Sequence, residues 1–202
     1  MKIFIVIISI VVGLFLLFQI YTVMSINKTE TQAYKLIQKE KNFEIRYYPA
    51  ATMAMITSSS KSYRDLGSSG FGKLAKYIFG GNNEKKQIAM TSPVHMDIGE
   101  TNSTMAFVLP AVYNQNTLPK PNDSSIDIIT SEPEYVAVIQ FGGFANNERI
   151  DEHKTRLENN LIDKGISFYG NFRYLGYNPP YQLLGRRNEV IVALHENNFS
   201  EK

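Results

Sequence analysis

The side chains able to carry chemistry are few and scattered in this chain of 202 residues. It contains no cysteine, so thiolate nucleophiles, cysteine metal sites and disulfides are excluded. What remains is imidazole, phenol, hydroxyl, carboxylate, amine and guanidinium. His153 falls between Ile150 and Leu157 at spacings of three and four, on the apolar stripe of a helix, and reads as a hydrogen-bonded core residue. His195 ends the final strand beside a polar tail and reads as exposed. His95 follows Pro93-Val94 in a strand, where alternation fits a buried or a surface role equally. Glu189 comes directly after Arg186-Arg187-Asn188; a surface ion pair is expected, with a buried carboxylate paired to Arg186 or Arg187 as the alternative. Ser92 sits in an ordinary Thr-Ser-Pro turn context. With no G-x-S-x-G, H-E-x-x-H or phosphate-loop pattern in the chain, no catalytic residue and no metal ligand is assigned.

Lys73 and Lys76 lie one helical turn apart near the end of a predicted helix. A lysine stem can cover apolar surface while its ammonium reaches a carboxylate at the rim. Plain solvation is the other reading of both.

The elements that position these groups begin with an anchor. From Ile3 to Phe18 only Ser9 and Gly13 interrupt large apolar residues, and the run continues more weakly to Met24. Such a helix is about 33 Å long, enough to cross a hydrocarbon layer of about 30 Å. Residues 1–26 are therefore expected to be an uncleaved single-pass membrane helix. Counting flanking lysines places the C-terminal domain in the cytoplasm, whereas a signal-anchor places it outside; the extracytoplasmic side is the expectation. Lys2 is the only charge in the run, and the full chain's 21 basic and 19 acidic residues nearly cancel. That balance leaves no electrostatic footprint for nucleic acid.

Residues 27–33 read as a polar linker, 34–195 as one folded domain and 196–202 as a polar tail. Within the domain, alternation predicts strands over Phe43 to Tyr47 and Ala51 to Thr57, a helix over Ser62 to Phe79 ended by Gly80-Gly81, and strands near Gln87 to Met96 and Met105 to Leu109. The second half repeats this order. Its strands are Ser125 to Thr130 and Tyr135 to Phe141, its helix Asn147 to Asp163, and its last strands Ser167 to Gly176 and Glu189 to Leu194. Each half carries a proline-bearing break after the post-helix strand, at Pro93 and at Pro179-Pro180. Two halves of strand, strand, helix, strand, strand imply an internal duplication and an α+β fold. The first helix is unusual: Gly67, Gly70 and Gly72 each cost it about 1 kcal/mol relative to alanine, while Tyr63, Leu66, Phe71, Leu74 and Ile78 give it a wide apolar face. The glycines serve either close packing on the sheet or a smooth platform for a flat ligand.

The blocks Ala89-Met90-Thr91-Ser92-Pro93-Val94, Pro133-Glu134-Tyr135-Val136-Ala137-Val138, Phe141-Gly142-Gly143-Phe144-Ala145, Gly176-Tyr177-Asn178-Pro179-Pro180-Tyr181 and Gly185-Arg186-Arg187-Asn188-Glu189-Val190 occur in order and at family spacing. Together they resemble the SOUL family of haem-binding proteins, over about Tyr34 to Leu194. The resemblance implies a distorted antiparallel β-barrel flanked by two helices, similar to the effector-binding domains of some bacterial regulators. It also implies non-covalent binding of haem or a related tetrapyrrole in an apolar cleft beside the first helix. Tyr63, Phe71 and Leu74 are then the apolar contacts, and Lys73 and Lys76 the partners of the propionates. Some members carry a histidine after the Glu-Ile-Arg of the first strand; here that place is Tyr47, a candidate binding residue since tyrosine can ligate ferric iron, with strand packing as the other reading. The change puts histidine ligation in doubt without excluding binding. Ser68 and Gln182 stand where some members have further basic residues, which weakens a propionate clamp. An enzyme using the same cleft, or an interaction module without haem, are the alternatives to a carrier, buffer or sensor.

Overall fold

The structure, a computed structural model, describes residues 2–26 and 29–195; the predicted tail over 196–202 lies outside these. Helix α1 (Lys2–Ile26) opens the chain. Two short strands follow, β1 (Glu30–Thr31), inside the stretch expected to be a linker, and β2 (Lys35–Lys39). The first half then runs β3 (Glu44–Tyr48), β4 (Thr52–Ser58), α2 (Tyr63–Ile78), β5 (Thr91–Ser92), β6 (Val94–Asp97) and β7 (Ser103–Val108). The second runs β8 (Ile126–Thr130), β9 (Glu134–Phe141), α3 (Asn147–Asp163), β10 (Phe168–Gly176) and β11 (Asn188–Leu194). Strand β1 pairs parallel with β5. All other strands join one antiparallel sheet of nine, in the order β2-β3-β9-β11-β10-β6-β7-β4-β8. Among the described residues this ladder is open, with β2 and β8 at its edges.

The order is symmetric about the β6/β10 pair, where Val94 faces Gly176 and Asp97 faces Arg173. On one side stand β7 and β4, on the other β11 and β9, which are the matching strands of the two halves. The outer members are exchanged. Strand β3 of the first half pairs with β9 of the second, and β8 of the second pairs with β4 of the first. Helix α2 packs on β4, β6 and β7, and α3 on β9, β10 and β11, so both helices cover the same face.

Strand alternation sorts the residues between the two faces. Toward the helices point Ile45, Ala54, Ile56, Met105, Phe107, Ala137, Ile139, Val190 and Val192, which form the main core with Leu66, Leu74 and Tyr77 of α2 and Ile150, Leu157 and Leu161 of α3. On the opposite face lie two smaller apolar clusters, one of Tyr48, Val136, Val138, Leu175, Tyr177 and Ile191, the other of Met53, Ala106 and Val108. That face also carries the polar residues Arg46 and Glu189.

Candidate functional site

Helix α2 is built from its ends inward. Ser62 caps it, its hydroxyl oxygen accepting from the Asp65 amide at 3.1 Å while donating to the Asp65 carboxylate at 2.7 Å. At the other end the Gly81 amide donates to the Lys76 carbonyl at 2.8 Å and that of Gly80 to Tyr77 at 3.3 Å. This is the double bond of a Schellman termination, and it needs the left-handed φ of +100° found at Gly80. The glycines between differ in what surrounds them. At Gly70 a Cβ would sit 2.6 Å from Ile56 Cδ1 on β4, so there glycine permits close packing. At Gly72 nothing lies within 4 Å, and the position faces open space.

The expected binding residues do not gather in one cleft. Leu66 and Leu74 are both 0% exposed and pack between α2 and the sheet in the main core, so Leu74 is a packing residue in this structure. Tyr63 is half-buried at the first turn, its ring edge-on to Tyr174 at 5.8 Å and its hydroxyl 3.5 Å from the Phe172 carbonyl. Phe71 is partly exposed and meets Phe107 of β7 at 5.1 Å. Lys73 points the other way, its Nζ 3.2 Å from Ser125 Oγ at the start of the edge strand β8. Two helical residues turn about 200°, which places Phe71 and Lys73 on opposite flanks. Lys76 shares the flank of Lys73: both ammonium groups lie near Asp123, adding to the Ser125 hydrogen bonds that hold its carboxyl below the usual range. Tyr47 lies on β3, on the far side of the strands under α3, with its ring 5.0 Å from Tyr135.

A concavity of about 390 Å³ opens between the first turn of α2, the outer side of α3 and the start of β10. Its lining is mixed, with Tyr63, Ile98, Phe168 and Phe172 as the apolar part and Lys61, Lys154, Asp151, Glu158, Asn147 and Asn171 as the larger polar part. Its size falls within the roughly 300–1,000 Å³ of small-molecule sites. Lys154 Nζ lies 5.7 Å from the centre of the Phe172 ring. Burial, with the charges of Asp151 and Asp97, pushes the Tyr63 phenol up, so it stays protonated at neutral pH.

None of the histidines lines this concavity. His153 is buried in α3, with Nδ1 2.7 Å from the Arg149 carbonyl and its ring stacked on Phe141 at 4.1 Å, the core role its spacing implied. His195 meets Tyr169 at the end of β11. His95 bonds through Nε2 to Gln32 Oε1 at 2.7 Å. Burial and the neighbouring Arg173 guanidinium hold it down to about 3. The unfolded chain takes up this proton near its ordinary value of 6.5 and the folded chain only near 3, so stability falls as pH drops through that window. Thermal melts at pH 7 and about pH 4.5, inside the window, should show a larger loss of Tm for the wild type than for His95→Gln, and equal losses would refute this. Ser92 is buried, hydrogen-bonded to Thr31 at 3.2 Å and followed by a cis peptide bond to Pro93.

A second polar assembly lies on the sheet face away from the helices, and it corrects the expectation for Glu189. That carboxylate is not in a surface ion pair: it is 0% exposed. Arg46, 2% exposed, reaches both its oxygens at 3.1 and 3.0 Å. Arg187 donates to Oε1 at 2.7 Å and the Tyr177 hydroxyl to Oε2 at 2.8 Å. Arg186 instead donates to the Pro179 and Gln182 carbonyls. The reason for burial is position, since β11 runs between β9 and β10 and all seven of its residues are buried. Although burial disfavours its charge, the Glu189 carboxylate and the Glu44 hydrogen bond keep the Arg46 guanidinium firmly protonated. Burial and the Glu189 charge likewise push the Tyr177 phenol up, keeping it a donor. With every oxygen engaged, Glu189 ties β11 to β3 across β9. The clue in the sequence was the alternation of Glu44-Ile45-Arg46, which sends Arg46 to the face opposite Ile45.

A profile of the SOUL heme-binding protein family matches residues 29–193. Among characterised relatives, "Heme-binding protein 1" of Xenopus laevis is 31% identical over 168 residues, 77% of this chain and 87% of its own length. "Heme-binding protein 2" of Mus musculus is 31% identical over 170 residues, covering 80% and 82%. Among solved structures, the C-terminal domain of EcmrR superposes with a TM-score of 0.60 at 7% identity, over 80% of this chain and 98% of that one. A hydrolase from Listeria innocua gives 0.55 at 7% identity, over 78% and 94%. At such identities these two structures speak to the fold alone.

Proposed function

We propose, from the premise that this chain belongs to the SOUL haem-binding family, that it binds haem or a related tetrapyrrole non-covalently against α2, as a membrane-tethered carrier, buffer or sensor. The observation that carries the location is the concavity walled by Tyr63, Ile98, Phe168 and Phe172, which offers three aromatic rings to a flat apolar ligand. The macrocycle lies in that groove and extends along the flank of Phe71, while Leu74 fixes the helix from beneath. Its propionates turn toward Lys61 and Lys154, the cations on the apolar side. Lys73 and Lys76 serve instead if the ligand crosses the outer face of α2 over Gly72.

The protonated Tyr63, the engaged His95 and His153, and the remoteness of Tyr47 support binding without a strong axial bond to iron. They equally favour a site that performs no covalent chemistry. The tether is α1, whose stretch from Lys2 to Ser25 is long and apolar enough to cross a membrane.

Absorbance titration of the full chain in detergent, with hemin and with metal-free porphyrin, tests the reading. Because apolar contact supplies most of the affinity, the two ligands should bind within about tenfold of each other, under about 1.4 kcal/mol. Changing His95, His153 or His195 singly should leave the Soret shift in place. Failure of both ligands to bind overturns the proposal, and loss of the shift in one folded histidine variant overturns the unligated mode.

A further inference from the structure

Helix α1 shows an inverted burial pattern in its last turns. Its polar residues Gln19 and Thr22 are only 3% and 4% exposed, while the apolar Phe18, Ile20, Tyr21 and Met24 around them face outward. What covers Gln19 is the connection between β10 and β11. The Gln19 side-chain amide donates to the Tyr181 carbonyl at 3.2 Å, and its oxygen accepts from the Leu183 amide at 3.0 Å. The Phe18 and Tyr181 rings lie 6.1 Å apart.

The connection itself is tightly braced. Asn178 Nδ2 donates to Gln182 Oε1 at 3.0 Å, Gln182 Nε2 to the Leu184 carbonyl at 2.7 Å, and Arg186 to the carbonyls of Pro179 and Gln182, each at 2.7 Å. Yet this braced loop holds Tyr181, Leu183 and Leu184 outward, at 57%, 44% and 62% exposure. No charge occurs from Asn178 to Gly185, and of the two arginines after it Arg186 is engaged by the loop carbonyls and Arg187 by Glu189.

We infer that this loop is a second membrane-contacting element, with Tyr181, Leu183 and Leu184 set into the lipid beside α1, so that the domain is seated on the bilayer rather than hung from a leash. The inference rests on α1 spanning the membrane. The depth agrees with it. A span from Lys2 to Ser25 is about 36 Å long against about 30 Å of hydrocarbon, and Gln19 lies about 9 Å from its end, roughly 6 Å below the hydrocarbon boundary. An unpaired amide at that depth is costly, and here the loop backbone supplies both of its partners. To reach them the loop must stand at the same depth. There its two leucines meet acyl chains, and its tyrosine matches the preference of that side chain for the interface.

The absence of cysteine makes the test direct. Single substitutions Leu183→Cys, Leu184→Cys, Phe15→Cys and Ile162→Cys are labelled with an environment-sensitive fluorophore in the full chain, reconstituted in phosphatidylcholine vesicles. Ile162 is an exposed apolar residue near the end of α3, beside the start of β10 and so roughly 26 Å along that strand from the loop. Quenching is compared between a lipid-borne nitroxide and aqueous iodide. Labels at 183, 184 and 15 should be quenched by the lipid probe and protected from iodide, and the label at 162 the reverse. If 15 responds to lipid but 183 and 184 respond to iodide, or to neither quencher as under a protein partner, the loop inference is overturned. If 15 also fails to respond to lipid, the membrane span falls, and the loop inference with it.

Discussion

Replacing Glu189 by alanine should cost the domain about 3–5 kcal/mol, the largest single-residue effect expected in this protein. The change leaves Arg46, buried between β2 and β9, facing no counter-charge except the partly exposed Glu44, and it strips the Tyr177 hydroxyl of its acceptor. Arg187, with about a third of its side chain exposed, can turn to water; Arg46 cannot. The variant Glu189→Leu combined with Arg46→Met should recover much of the loss, since two apolar residues remove both buried charges together. Urea unfolding reads the result as a shift in midpoint at constant slope. A loss below about 1 kcal/mol for Glu189→Ala would show that water reaches Arg46 and that the assembly is not a buried tie.

The second large effect concerns ligand affinity. Lys61→Glu with Lys154→Glu should weaken hemin and metal-free porphyrin alike, by about tenfold to a hundredfold, because the reversal leaves the groove ringed by Asp151, Glu158 and two new carboxylates. Lys73→Glu with Lys76→Glu, on the flank facing β8, should change either affinity by less than about threefold, or about 0.7 kcal/mol. The opposite ranking would move the ligand to the outer face of α2 over Gly72. Both pairs are exposed and neither packs in the core, so the variants are expected to fold, with unchanged circular dichroism as the check, and the comparison is then between ligand positions. Equal loss for both metal-containing and metal-free ligand is what separates a rim effect from an effect on iron.

How much of this was legible in the sequence varies from element to element for physical reasons. Helix α3 is found at the predicted bounds, because Asn146 caps it and Gly165 lies just past its end; both signals are local. The end of α2 at Gly80-Gly81 and the proline-bearing breaks were readable in the same way. Strand β2 was not, since all five of its residues are exposed and an edge strand with no buried face leaves no alternation. The exchange of β3 and β8 between halves was equally hidden, because strands so far apart in the chain leave no periodicity when they pair. For Glu189 the surface ion pair suggested by its local charge neighbours gave way to the buried pairing with Arg187 that was the alternative, because burial was decided by the two strands that flank β11. The separation of Phe71 from Lys73 was legible: residues two apart on a helix cannot share a flank.

The exchanged strands also set an order of events during synthesis. Strand β3 leaves the ribosome about 90 residues before β9, its partner, and at about 5–20 residues per second that is a wait of several seconds. Arg46 waits longer still, since Glu189 comes 143 positions later, in the last strand of the domain. Through that interval β3, paired only with β2, holds one edge open, and its arginine is a cation that cannot yet be buried. Closure therefore comes only once β11 has emerged. Shortened products, lacking β11, leave Arg46 without its buried partner and the edge of β9 open, which marks them as unfinished to any protease that samples exposed strands.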